Sequence, residues 1–114
     1  MVTPSAGEVV TVLFPFSDLT NSKLRPAVVL ADAGRGDWIL CQVTSNSYSD
    51  PGAIQIEEED FVSGSLQRIS YARPGKIFTA NETLITSKVG TLQDASFRKI
   101  ANAIIHLLQS NIPL

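Results

Sequence analysis

Apolar residues in this chain come in short, largely β-branched bursts, none longer than the five residues Ala27–Ala31, and Gly, Pro, Asp, Asn and Ser recur between them. Such punctuation excludes long helices before the C-terminus and forces the core to be assembled from many short strands. Glu8 to Phe14 (EVVTVLF), bounded by Gly7 and Pro15, reads as the first strand. Pro15 to Leu24 is polar and reads as a loop too long for a tight hairpin. Arg25 to Ala31 is the next strand, with Pro26 tolerated only near its start, so Arg25 is expected at a strand entrance. Asp32 to Asp37 reads as a turn and Trp38 to Ser45 as a third strand.

Ala53 to Ile56 is expected to be a short strand, and the Glu57–Asp60 block that follows either starts a helical turn or stays a loop. Ile69 to Arg73 and Lys76 to Thr79 read as two strands around Pro74-Gly75, with Thr86 to Gly90 as one more. Only the end is helical in pattern. Phe97, Ile100, Ala101, Ile104, Ile105, Leu107 and Leu108 fall within one arc of about 160° at helical spacing, with Asp94 or Ser96 available as the cap. Short strands closed by one C-terminal helix imply a mainly β fold, a small, strongly bent barrel-like sheet with the helix packed on it.

The 114 residues suit a single domain spanning 1–114, and 44% apolar against 18% charged residues is the composition of a folded globule. No apolar run approaches a membrane span or a signal-peptide core, so neither membrane insertion nor secretion is expected. One cysteine, Cys41, excludes an intrachain disulfide and fits a reducing cytosol. The net charge of −2 argues at first against a nucleic-acid partner. Yet Glu57, Glu58, Glu59 and Asp60 hold four of the eleven acids, and between Phe61 and Lys88 four cations (Arg68, Arg73, Lys76, Lys88) meet one anion, Glu82. A local basic face is compatible with that distribution, although four such cations are more often simply solvated.

Common catalytic templates are absent: the sequence has no P-loop, no G-x-G-x-x-G, no G-x-S-x-G and no H-E-x-x-H. His106 stands nearly opposite the centre of the apolar arc and is expected to face solvent. Cys41, mid-strand behind Ile39 and Leu40, reads as core filler and not a nucleophile. Consecutive carboxylates do not converge on a cation without a loop to fold them, so the acidic block is expected to bind no metal.

Gly7-Glu8-Val9-Val10, Phe14-Pro15-Phe16-Ser17-Asp18 and Lys23-Leu24-Arg25-Pro26-Ala27-Val28-Val29-Leu30, taken in order, resemble the PemK/MazF-like toxins of type II toxin-antitoxin systems. The resemblance continues through Ile39-Leu40-Cys41-Gln42-Val43-Thr44-Ser45, through Ser70-Tyr71-Ala72-Arg73-Pro74-Gly75-Lys76-Ile77, and through Val89-Gly90-Thr91-Leu92. It implies a plasmid-maintenance barrel (SH3-like, as in the CcdB-like toxins) and a cytoplasmic homodimer without cofactor or metal. It also implies sequence-specific cleavage of single-stranded RNA, in which the neighbouring 2′-hydroxyl attacks the phosphate. DNA, lacking that hydroxyl, is excluded by the chemistry itself.

By position, the resemblance makes Arg25 and Thr44 the catalytic pair. A planar guanidinium suits charge developing on phosphate oxygens, and a threonine hydroxyl adds a hydrogen bond to them. The implied RNA contacts are Asp18, Lys23, Ser45, Tyr48, Arg68, Ser70, Arg73 and Lys76. Phe16, Tyr48 and Tyr71 are candidates to stack unpaired bases, whereas Trp38 is expected in the core. Two departures stand out. Many members carry Gly-Ser-Glu before Arg-Pro, where this chain has Asp18-Leu19-Thr20-Asn21-Ser22, so Asp18 either substitutes for the glutamate or caps the loop. Where some members have a carboxylate before the later arginine, this chain has Ser70.

The resemblance further implies an acidic antitoxin segment, disordered until bound, lying across a basic groove, with the Glu57–Asp60 block away from that groove. The competing class is a toxin-fold protein that acts by binding alone, as a gyrase poison or as a cleavage-dead antitoxin binder.

Overall fold

A computed structural model describes residues 3–15, 22–46 and 50–114. Seven strands form one curled antiparallel sheet: β1 (Glu8–Pro15), β2 (Ser22–Gly34), β3 (Asp37–Thr44), β4 (Ile54–Ile56), β5 (Phe61–Gly64), β6 (Ser70–Asn81) and β7 (Ile85–Leu92). Their spatial order is β4-β6-β3-β2-β1-β7-β5, and a single helix, α1 (Asp94–Gln109), follows. Both edge strands are short, which limits the unpaired backbone a sheet offers to other chains.

The runs Val9-Val10 and Val28-Val29 do not alternate apolar with polar because both faces of the sheet are covered. On one face Val9, Val28, Cys41 and Val43 pack with Phe61 and Leu92 against Ile100 and Ile104 of α1. On the other, Val10, Val12, Ala27, Val29 and Leu40 pack with Ala80 and Ile85, flanked by Trp38, Phe78 and Leu84. Trp38 is therefore core-associated as expected. Phe14 stacks on Phe78 with ring centroids 4.7 Å apart, extending that second cluster.

Several boundaries differ from the sequence reading. β2 begins at Ser22, so Lys23 and Leu24 belong to a strand and Arg25 lies inside it, paired with Val12 of β1. The turn after β2 shrinks to Arg35-Gly36, because β2 reaches Gly34 and β3 starts at Asp37. Ile69–Arg73 and Lys76–Thr79 are not two strands: β6 runs unbroken from Ser70 to Asn81. Its register passes from Cys41↔Ile77 to Val43↔Ala72, so five residues of β6 span two of β3. That bulge absorbs Pro74, which has no N–H for the ladder. The Cys41 thiol donates to the Arg73 carbonyl within it at 3.2 Å.

The acidic block forms a 3₁₀ turn, Glu58–Asp60, and leads into β5, a strand that the sequence pattern did not announce. Close approach of β5 to β7 explains two glycines. At Gly64 (φ +76) an added Cβ would sit 2.1 Å from the Val89 carbonyl oxygen, and at Gly90 it would sit 2.5 Å from that of Ser63.

The N-cap of α1 is Gln93, not Asp94 or Ser96, and Ser96 instead donates to Asp60 Oδ1 at 2.8 Å. Within the apolar arc only Ile100 and Ile104 are buried; Ile105, Leu107 and Leu108 are exposed, since the sheet is wide enough to cover only the first half of the stripe. No helix among the described residues is long and apolar enough to cross a membrane.

Two outcomes follow from this packing. Ile100→Ala should destabilise the protein by about 2–5 kcal/mol, whereas Ile105→Ala should cost less than about 1 kcal/mol, read from denaturant midpoints. Burial pushes the Cys41 thiol up to about 11, against a partial offset from its bond to Arg73. The folded state thus holds the proton more tightly than the unfolded chain. The thiol's contribution to stability should be constant below about pH 8.5 and fall as pH rises towards 11, and that part of the slope should vanish in Cys41→Ala.

Candidate active site

The ladder between β2 and β3 stops at Ala27↔Gln42. The next residue of β2 is Pro26, which has no N–H to donate, so the two strands part there. β2 remains paired with β1 on its other side through Pro26↔Thr11 and Arg25↔Val12, and β3 remains paired with β6 through Thr44↔Tyr71. Each wall of the opening is therefore held by a separate neighbour. Arg25, just before Pro26, and Thr44, at the end of β3, both line the opening.

Between them lies a cleft of about 300 Å³. It brings together six residues singled out in the sequence: Arg25, Thr44, Lys23, Ser45, Arg68 and Ser70. Leu24, Pro26, Val43 and Leu66, which the sequence reading did not name as contacts, complete its walls. The lining carries three cations, Lys23, Arg25 and Arg68, and no carboxylate among the described residues, so the opening favours an anion. Arg25 is half-buried, while Lys23 and Arg68 are exposed. Thr44 Oγ1 accepts the Asn46 N–H at 3.1 Å, which orients the hydroxyl and keeps its own proton for donation. Ser70 is different: it is buried and its hydroxyl donates to the Arg68 carbonyl at 3.2 Å, so it shapes the wall that carries Arg68.

Other expected contacts lie elsewhere. Arg73 is not in the cleft; its Nε donates to Asp50 Oδ2 at 2.8 Å, and this bond is the main reason the Asp50 carboxyl titrates below its usual range. Lys76 is exposed in the β6 bulge, and Lys88 pairs with Glu8 at 2.9 Å. The cations between Phe61 and Lys88 thus form no single face in this chain. Tyr71 is half-buried opposite Thr44. Asp18, Phe16 and Tyr48 lie outside the described residues. His106 is exposed and Cys41 fully buried, as the sequence indicated.

The acidic block is not remote from the cleft. Asp60 is turned towards the start of α1, accepting from the Glu57 backbone N–H at 2.7 Å and from Ser96. Glu57, Glu58 and Glu59 line a second cavity, of about 510 Å³, which shares Leu66 and Arg68 with the cleft. The expectation of separation fails because β5 turns the chain back, so the segment after it lies between the acidic turn and the cleft. Among the described residues no group of three or more His, Cys, Asp or Glu is placed to hold a metal ion.

Residues 5–108 match the family described as PemK-like, MazF-like toxin of type II toxin-antitoxin system. Among curated proteins none matches. The fold is similar to MazE-MazF from Deinococcus radiodurans, with a TM-score of 0.75 at 19% identity over 96% of this chain and 98% of that one. It is also similar to a mycobacterial endoribonuclease in complex with its cognate antitoxin, with a TM-score of 0.69 at 19% identity over 99% and 100% of the two chains. The toxin MazF-mt6 of Mycobacterium tuberculosis aligns with a TM-score of 0.67 at 12% identity, over 90% of this chain and 96% of its own. With the family match covering nearly the whole chain and the fold shared, this protein belongs to the PemK-like, MazF-like toxins of type II toxin-antitoxin systems.

Proposed function

We propose that this toxin is an endoribonuclease that cuts single-stranded RNA without a metal, with Arg25 and Thr44 acting on the scissile phosphate. The observation that supports this reading best is their juxtaposition across the opening between β2 and β3, in a cleft lined by cations. In the mechanism, the 2′-hydroxyl oxygen attacks the adjacent phosphorus as its proton passes to a solvent water. The bond to the 5′-oxygen breaks, leaving a 2′,3′-cyclic phosphate and a 5′-hydroxyl end. Negative charge builds on the non-bridging oxygens, where the Arg25 guanidinium offers a bidentate fork and the Thr44 hydroxyl one further donor.

Arginine is a poor base because the guanidinium is protonated at any working pH, so Arg25 acts mainly by charge stabilisation and passes a proton to the leaving oxygen, regaining one from water. None of the described lining residues is a conventional base. Lys23 and Arg68 hold the flanking phosphates and Ser45 donates to the backbone beside them, which positions the strand without reading its sequence. Arg73, which Asp50 holds, and Lys76 lie outside the cleft lining and would meet phosphates further along the strand. By likeness to the MazE-MazF and endoribonuclease–antitoxin structures, the partner is a cognate antitoxin whose binding occludes the cleft; the family resemblance adds a cytoplasmic, symmetric homodimer.

Incubation of the purified protein with a long single-stranded RNA in excess EDTA should give cuts at one short recurrent sequence, with 5′-hydroxyl ends. Arg25→Lys keeps the charge but loses the fork, so its cleavage rate should fall about 100-fold or more, equivalent to about 3 kcal/mol, with little change in melting temperature. Thr44→Ala should lose rate in the same assay. Full cleavage by Arg25→Lys, loss that merely tracks the melting temperature, or activity abolished by the chelator would overturn the mechanism. Absence of cleavage with antitoxin binding retained would favour a binding module. Sedimentation at micromolar concentration should give a dimer, and a monomer there would remove the symmetric assembly.

A further inference from the structure

The cavity of about 510 Å³ beside the cleft has the size of a small-molecule site, and three glutamates line it where the cleft has no carboxylate among the described residues. It meets the cleft at Leu66 and Arg68, residues that line both. An RNA phosphate held at Arg68 therefore brings one neighbouring nucleoside to the mouth of this second cavity. We propose that the cavity is a base-binding subsite for the nucleotide next to the scissile phosphate, selecting guanine through Gln67 and the carboxylates of Glu58 and Glu59. The proposal rests on the ribonuclease reading and adds to it the residues that read sequence.

Charge decides which part of a nucleotide enters. Glu57, Glu58 and Glu59 on one wall repel phosphate, so the backbone stays on the Arg25 side and the base points inward. Phe61, Leu66 and Ile69 supply apolar surface for the ring. Carboxylates only accept hydrogen bonds, and guanine alone among the four RNA bases presents two adjacent donors, N1–H and the N2 amino group, to the two oxygens of one carboxylate. Uracil offers a single N–H flanked by carbonyl oxygens, which an acidic wall repels. Crowding within that wall is already visible, since hydrogen bonding and charge from Glu57 hold the Glu59 carboxyl above its usual range.

Gln67 stands between the two shared residues with φ +64, a left-handed backbone that a non-glycine residue adopts at a cost and that tends to occur at functional positions. Its N–H donates to Ser65 Oγ at 2.8 Å, which fixes the segment and leaves an exposed amide side chain at the rim. That amide can accept from and donate to a base edge together with the glutamates.

The test maps 5′ ends across a randomised single-stranded RNA pool for wild type, Gln67→Gly and Glu58→Gln, with melting temperature measured on each. Glycine accepts the left-handed backbone at position 67, so Gln67→Gly removes the amide without straining the fold. Both variants should still cut, with the preference for guanine over uracil at one position next to the cut falling about tenfold or more and the other positions unchanged. Identical cleavage profiles in wild type and variants would overturn the subsite while leaving the ribonuclease reading intact. A wild type that cuts no RNA would overturn both. Unchanged profiles with weakened binding of the cognate antitoxin would show the cavity to be a protein-docking surface and would likewise overturn the base subsite.

Discussion

The missing N–H of Pro26 is the constraint on which the site depends. An antiparallel pair stays together only while both strands supply donors and acceptors in register, and the β2–β3 ladder ends at Ala27↔Gln42, one residue short of the proline. Because β1 still holds β2 and β6 still holds β3, the strands part without either losing its place. The gap takes its geometry from the rigid sheet, and Arg25 and Thr44 face it from strands, not from mobile loops. For chemistry that works by aiming charge at a phosphate, such fixed placement matters as much as the identity of the groups.

The rest of the fold serves to keep that sheet curled. Two apolar faces and a bulge in β6 bend it, and the buried stretch around Cys41 ties the bulge to the centre through the Arg73 carbonyl. Arg73 itself is spent on Asp50, across from the segment leading to β4. Arg73 thus lies outside the cleft, whose positive charge comes from Lys23, Arg25 and Arg68. Beside it, the three glutamates form the opposite environment, with only Leu66–Arg68 between the two. A surface that attracts anions thus adjoins one that repels them.

Much of this was legible locally. The Arg25-Pro26 pair, the Thr44-Ser45 strand end, the mainly β composition and the C-terminal helix can be read because propensity, proline chemistry and period 3.6 act over a few residues. The length of β6, the existence of β5 and the cap of α1 could not. Pro74-Gly75 looks like a strand break until β3 is there to accommodate a bulge, and Phe61–Gly64 has too little pattern to announce a strand without β7 beside it. Likewise, Asp94 and Ser96 are both good capping residues by type, yet Ser96 is drawn to Asp60 and Gln93 takes the cap.

The sequence by itself therefore determined the elements and the chemical groups: an arginine before a proline, a threonine ending a strand, one buried thiol, one acidic block and one amphipathic helix. Tertiary structure decided which of those groups meet. It put Arg25 and Thr44 into one cleft where the β2–β3 hairpin opens, paired Arg73 and Lys88 with Asp50 and Glu8, and brought the glutamates beside Arg68. The physical reason is range. Backbone preferences act over a turn or a strand, whereas the neighbours that set a charged group's role are chosen by long-range strand pairing, which no local pattern encodes.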